Sequence, residues 1–181
     1  MRLLVALAVA SMCFCTEAPM AADTPVASEA ELKAVFLFNF AKYVAWPATA
    51  FSNATAPITV GVVGVDPFGD NLRRMEGKMI NGREFVVKHL ASDSDWSGCQ
   101  ILFFSHSEAA RTGEVLHQAS ALPILTVGED EIFSRNGGII KFVFKNGNVR
   151  LEIDLAAARK ARLTISSRLL AVADLVKGKE D

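Results

Sequence analysis

Cysteine is scarce in this chain: there are three in 181 residues, and Cys13 and Cys15 both lie in the opening apolar stretch. If that stretch is removed, Cys99 stands alone and an internal disulfide is excluded. Cys99 then reads as a small buried residue at a strand start, with an intermolecular disulfide or a redox role as the other reading. Histidine is equally sparse. His89, His106 and His117 are scattered and no pair has helical ligand spacing, so no metal site is expected and each reads as a surface or cap residue. The GxGxxG and GxxxxGK[ST] fingerprints are both missing, which removes the nucleotide-loop readings that Gly61 to Pro67 might invite. A phosphorelay receiver is disfavoured too, because no acidic pair precedes the strand end at Gly64-Val65-Asp66. Ser105-His106-Ser107 has no glycine elbow and no third triad member beside it in sequence, so a hydrolase using Ser105 and His106 is only a rival reading. Neither catalysis nor a cofactor is supported. An excess of one charge is also lacking. With 19 basic and 20 acidic residues the formal net charge is −1, which gives no reason to expect nucleic acid or a strongly anionic surface as partner.

No apolar run is long enough for a permanent anchor; the stretch from Leu3 to Cys15 is too short to cross a bilayer. Arg2, the apolar run and the small residues of TEAPMAAD together predict a secretory signal peptide, cleaved after Ala22 or Ala18. Met12 and Phe14 are too bulky to precede a lipidated cysteine. Taking 22 residues from the 181 leaves 159, enough for one domain with its own core, so residues 23–181 are expected to form a single unit.

What is present is centred on LKAVFLFNFAKYVAWP, from Leu32 to Pro47. Apolar residues fall on every side of its helical projection, so the predicted helix needs cover from its own domain, from a partner, or from both. Ser28 and Glu31 form a capping box ahead of it, and Trp46-Pro47 stops it. Strands are expected at Ile58 to Gly64, Glu84 to Leu90, Gln100 to Ser105 and Leu122 to Val127. Short helices are expected where Asp66 and Pro67 open one, over Ser107 to Ala119, and over Asp130 to Ser134. Asn81-Gly82 marks a turn, and Asn146-Gly147 a hairpin between Gly138–Phe144 and Val149–Leu155. The predicted fold is α/β, a mostly parallel sheet with helices on both faces, a C-terminal antiparallel hairpin and a long final helix from Leu155 to Lys177. In that helix Ala158, Ala161, Ile165, Leu169, Val172 and Val176 form a core stripe, while Leu163 and Leu170, with Ser167 between them, form a second patch.

Both ends of the exported chain resemble one known family. LKAVFLFNFAKYVAWP looks like the opening signature of the YfiR-like periplasmic proteins, and GGIIKFVFKNGNVRLEIDLAAARKARLTISSRLLAVADLV resembles their closing hairpin and final helix. The resemblance covers roughly Glu29 to Val176. It implies a periplasmic, dimeric, non-enzymatic repressor. Its partner would be the periplasmic domain of an inner-membrane diguanylate cyclase, and its effect to restrain cyclic di-GMP and hence exopolysaccharide and biofilm. Some members of the family use cysteine pairs in redox-linked control; with Cys99 alone this chain departs from them.

Two candidate sites lie on the family-like segments. Lys42, Arg150, Glu152 and Arg162 could converge on a small anionic or zwitterionic ligand if the first and last helices flank the strand carrying positions 150 and 152; a set of surface salt bridges is the plainer reading. Phe38, Leu163, Ser167 and Leu170 are the candidate partner or dimer surface, with ordinary exposed leucines as the plain alternative. A rival function of another class is a small-ligand module reporting to a different membrane sensor, such as a histidine kinase.

Overall fold

The computed structural model describes residues 28–91, 93–145 and 147–176. The expected signal peptide at 1–22 lies outside them. Helix α1, Glu29–Tyr43, starts where the Ser28 hydroxyl accepts the Glu31 amide at 3.2 Å. It buries Ala34, Leu37, Phe40 and Ala41 and leaves Val35 and Lys42 exposed. The helix ends three residues short of Trp46, because Val44–Ala45 turns extended as strand β1.

Strand β2, Ile58–Val63, is buried along its whole length. The two-residue strand β3, Met79–Ile80, and strand β4, Arg83–Leu90, follow a short helix α2, Asp70–Arg73. That helix begins four residues after the expected cap. Asp66 instead accepts the Phe68 amide at 2.6 Å in a tight turn. Asn81 and Gly82 sit at φ 51 and 80 between the paired Ile80 and Arg83, the two-residue turn with both φ positive that suits a hairpin. Then come β5, Ile101–Phe104, α3, Ala109–Ala119, β6, Leu125–Gly128, α4, Glu131–Arg135, and the hairpin of β7, Ile140–Lys145, with β8, Asn148–Asp154. Asp130 caps α4 by accepting the Phe133 amide at 2.7 Å.

The expected long final helix does not exist. The segment instead folds as α5, Leu155–Lys160, β9, Thr164–Ile165, α6, Ser167–Leu170, and the edge strand β10, Asp174–Val176. The helix breaks at Arg162, which takes a left-handed φ of 59. There the Leu163 amide reaches back to Ala158 O and the Arg162 amide to Arg159 O, a Schellman termination. Glycine normally supplies such an ending; here arginine does, so residue type gave no stop signal.

The eight-stranded sheet has the order β10-β8-β7-β6-β5-β2-β4-β3, and β1 pairs with β9 in a separate two-stranded ladder. The sheet is mixed rather than mostly parallel. Tight turns reverse the chain at both flanks, making β3–β4 and β7–β8 antiparallel around a parallel centre. Helices cover both faces, as expected. Ile101 and Phe103 point into the larger core with α1, while Leu102 and Phe104 point into the smaller core with α3 and Phe133. The ring centroids of Phe40, Phe36 and Phe103 all lie within 6.4 Å of that of Phe142, so α1 is pinned on the middle of the sheet.

Candidate functional site: a cationic, aromatic cleft

The end of α1, the Trp46-Pro47 loop and the β9 segment meet at the N-terminal ends of the parallel strands. Antiparallel pairing of Val44 with Ile165 and Ala45 with Thr164, continued by the Ser166 amide on Tyr43 O at 2.9 Å, ties the late segment to α1. The Trp46 indole N–H donates to Gln100 O at 3.1 Å. The Gln100 side chain accepts from the Thr59 amide and donates to Ala50 O, both at 2.8 Å, which fixes the loop against the start of β2. These ties leave a cleft of about 340 Å³, lined by Lys42, Tyr43, Trp46, Phe51, Arg83, Thr164 and Ser166 among others. That volume falls in the range of small-molecule sites.

Its electrostatics are one-sided. The Arg83 guanidinium lies 3.7 Å from the centre of the Phe51 ring and donates to Ala56 O at 2.6 Å and Asn53 O at 3.2 Å. Lys42 stands over the Phe38 ring at 4.6 Å, and Lys78 approaches the same ring at 5.8 Å. Among the described residues none of these three cations has a carboxylate within 4.0 Å, and the cleft wall contains no acidic residue. The cleft can therefore take a small molecule with an apolar or aromatic body and a negative group. A second cleft, at the opposite strand ends, contains Asp66, Asp70, Arg73, Glu76 and His89 and has the opposite balance.

The four residues expected to hold a ligand are not brought together. Lys42 lines the cleft. Arg150 and Glu152 alternate with Val149, Leu151 and Ile153, which face α1, so the two charged side chains point to the other side of the sheet. There Glu152 pairs with Lys141 at 2.8 Å. Arg162 is exposed at the end of α5, with one N–H on Ala121 O at 3.4 Å.

The expected partner patch is also divided. Leu163 is 4% exposed and belongs to the main core, because the break at Arg162 rotates it inward. Phe38 and Leu170 are half-buried against that core, and Ser167 is exposed. Val172 and Val176, assigned to the core stripe, are 58% and 45% exposed.

Cys99 is free and buried beside β5, as read from sequence, and burial pushes its thiol pKa up, which disfavours the reactive thiolate. His89 pairs with Asp66 at 2.7 Å, and His106 lies 3.8 Å from Asp130, whose other oxygen caps α4. No hydrogen bond joins Ser105 to His106, and no cluster of metal-binding side chains occurs among the described residues. The residues that sequence reading missed are Tyr43, Trp46, Phe51, Arg83, Thr164 and Ser166. Arg83 could have been placed at this end of the sheet, since it follows the Asn81-Gly82 turn directly. Thr164 and Ser166 could not, because their segment read as helix.

The chain belongs to the YfiR/HmsC-like family, whose model matches residues 30–174. This is a regulatory, periplasmic family associated with membrane signalling proteins. No helix among the described residues is long and apolar enough to cross a membrane. A search of curated proteins found no match.

Proposed function

We propose that this chain is an exported negative regulator that binds the periplasmic domain of an inner-membrane diguanylate cyclase and restrains cyclic di-GMP synthesis. Exopolysaccharide and biofilm output fall as a result. The observation that carries this reading is the family match across residues 30–174, which spans nearly all of the described structure. Export rests on the leader at 1–22, with release into the periplasm.

The cleft adds a small-ligand input to the same reading. Its wall is built from the signature helix end and from the β9 segment, so occupancy would set how tightly those two segments hold together. Lys42 and Arg83 contact the negative group of the ligand, and Tyr43, Trp46 and Phe51 its apolar body. Arg150, on the far face, plays no part.

Two measurements test this. The exported chain, used as bait on solubilised inner membranes, should recover a protein with a diguanylate cyclase domain. Recovery of a histidine kinase in its place would transfer the module to another sensor class. Calorimetry against a panel of small anionic metabolites should find a binder that Lys42→Glu weakens at least tenfold, about 1.4 kcal/mol, and that Arg150→Glu leaves unchanged. Equal binding by wild type and Lys42→Glu would remove the cleft from the account.

A further inference from the structure

We propose that the end of the molecule at which the parallel strands begin is a docking face for an anionic phospholipid surface. The formal net charge of −1 conceals a polarised distribution. Five segments form this end: residues 44–57 between α1 and β2, the turn at 77–83, the loop at 119–124 ahead of β6, the loop at 135–138 ahead of β7, and residues 155–166. The last segment belongs here because β8 runs antiparallel to β7 and delivers α5 beside its start, while β9 pairs with β1. Together the five segments contain Lys78, Arg83, Arg135, Arg159, Lys160 and Arg162, and not one aspartate or glutamate. Lys42, exposed in the last turn of α1, adds to them. At the opposite strand ends the sign reverses. Residues 64–70, 105–108 and 128–131 contain Asp66, Asp70, Glu108, Glu129, Asp130 and Glu131, with neither lysine nor arginine.

The cations at the basic end are not neutralised within the protein. All except Arg83 are exposed, and among the described residues none of them has a carboxylate within 4.0 Å. Of the acids nearest in sequence, Asp154 accepts the Ala156 and Ala157 amides, and Glu84 points to the other side of β4 from Arg83. The cations are spread over a whole end of the fold, on long stems with small uncharged residues between them. A fluid layer of negative headgroups meets such a layout wherever each cation falls, whereas a single anion needs donors that converge. Met79 and Leu122 are the large apolar side chains exposed here, too few for insertion, so the contact is electrostatic. Repulsion of the acidic end turns the basic end toward the surface. The inference rests on export, which brings the chain to the outer leaflet of the inner membrane, and not on which enzyme it regulates.

The test is co-sedimentation of the exported chain with phosphatidylcholine vesicles prepared with and without phosphatidylglycerol. Wild type should sediment with the anionic vesicles in dilute salt, leave them in about 1 M salt, where screening shortens to ~3 Å, and ignore the neutral ones. Each cation near such a surface contributes roughly fivefold in affinity, so Arg159→Gln/Lys160→Gln/Arg162→Gln should weaken binding about a hundredfold. Arg73→Gln/Lys88→Gln/Lys145→Gln removes the same charge from exposed positions away from this end and should stay within about fivefold of wild type. If the first triple variant does not fold, Lys78→Gln/Arg135→Gln replaces it, with a loss of about 25-fold expected. A wild type that stays in the supernatant, binding to neutral vesicles, binding that ignores salt, or equal weakening by the two triple variants overturns the proposal. Release by millimolar glycerol phosphate also overturns it and assigns the face to a free anion. The first triple variant leaves the cleft lining intact, so failure here is separate from failure of the metabolite titration or of the cyclase pull-down.

Discussion

Two residues show how single side chains direct this structure. Arg162 ends α5 in a left-handed conformation, which costs a side-chain-bearing residue more than it costs glycine. Arg162→Gly should therefore stabilise the fold by about 0.5–1 kcal/mol in urea titration. A loss of stability would mean that the bond to Ala121 O outweighs the backbone strain. Lys141 is 8% exposed and bonded to Glu131 at 2.6 Å and Glu152 at 2.8 Å. Burial alone would push its pKa down, but the hydrogen bonds and charges of the two glutamates outweigh it, and the ammonium titrates above its ordinary value of 10.5. The hydrogen bond and charge of Lys141 hold the Glu131 carboxyl below its ordinary 4.5. The lowered carboxylate contributes stability that is present above pH 4.5 and is lost as the pH falls through its folded value. The raised ammonium contributes stability that is present below pH 10.5 and is lost as the pH rises through its folded value. The stability difference between wild type and Lys141→Met should be flat through neutral pH and shift at both extremes. A difference independent of pH from acid to alkali would contradict the assignment.

At the scale of elements, strands were more legible than their company. Ile58 to Val63 and Ile101 to Phe104 are short, carry no charge and are rich in β-branched or aromatic residues, a pattern that suits burial on both faces. Both hairpin turns were readable from Asn-Gly pairs. The final helix was misread because helical spacing runs unbroken from Ala158 to Val176, while the left-handed ending at Arg162 and the pairing of Thr164–Ile165 with Val44–Ala45 override it. The same error hid half of the cleft wall and put Leu163 on the surface. Lys42 was legible as a candidate because it stands on the signature helix. Arg150 and Glu152 were misplaced because the alternation of β8 shows that they share a face, but not which face α1 covers. Short α4 depends on glycine beneath it. A Cβ at Gly138 would lie 2.1 Å from the Phe133 ring, and that ring is fully buried and has nowhere to go. Gly138→Ala should cost about 1–3 kcal/mol, read as a lowered midpoint in thermal melting. An unchanged midpoint would mean that α4 can slide away from the sheet without cost.

For the whole molecule, the two cores support a sheet that carries a cationic, aromatic cleft at one set of strand ends and an exposed apolar strand, β10, at its edge. The most direct measurement is intracellular cyclic di-GMP in three otherwise identical strains: wild type, a deletion of this chain, and the deletion complemented with the exported chain. Cyclic di-GMP should rise on deletion and return to the wild-type level on complementation. If it is the same in all three strains while the complementing protein is present in the periplasm, the chain does not restrain a cyclase, and the regulatory reading is wrong.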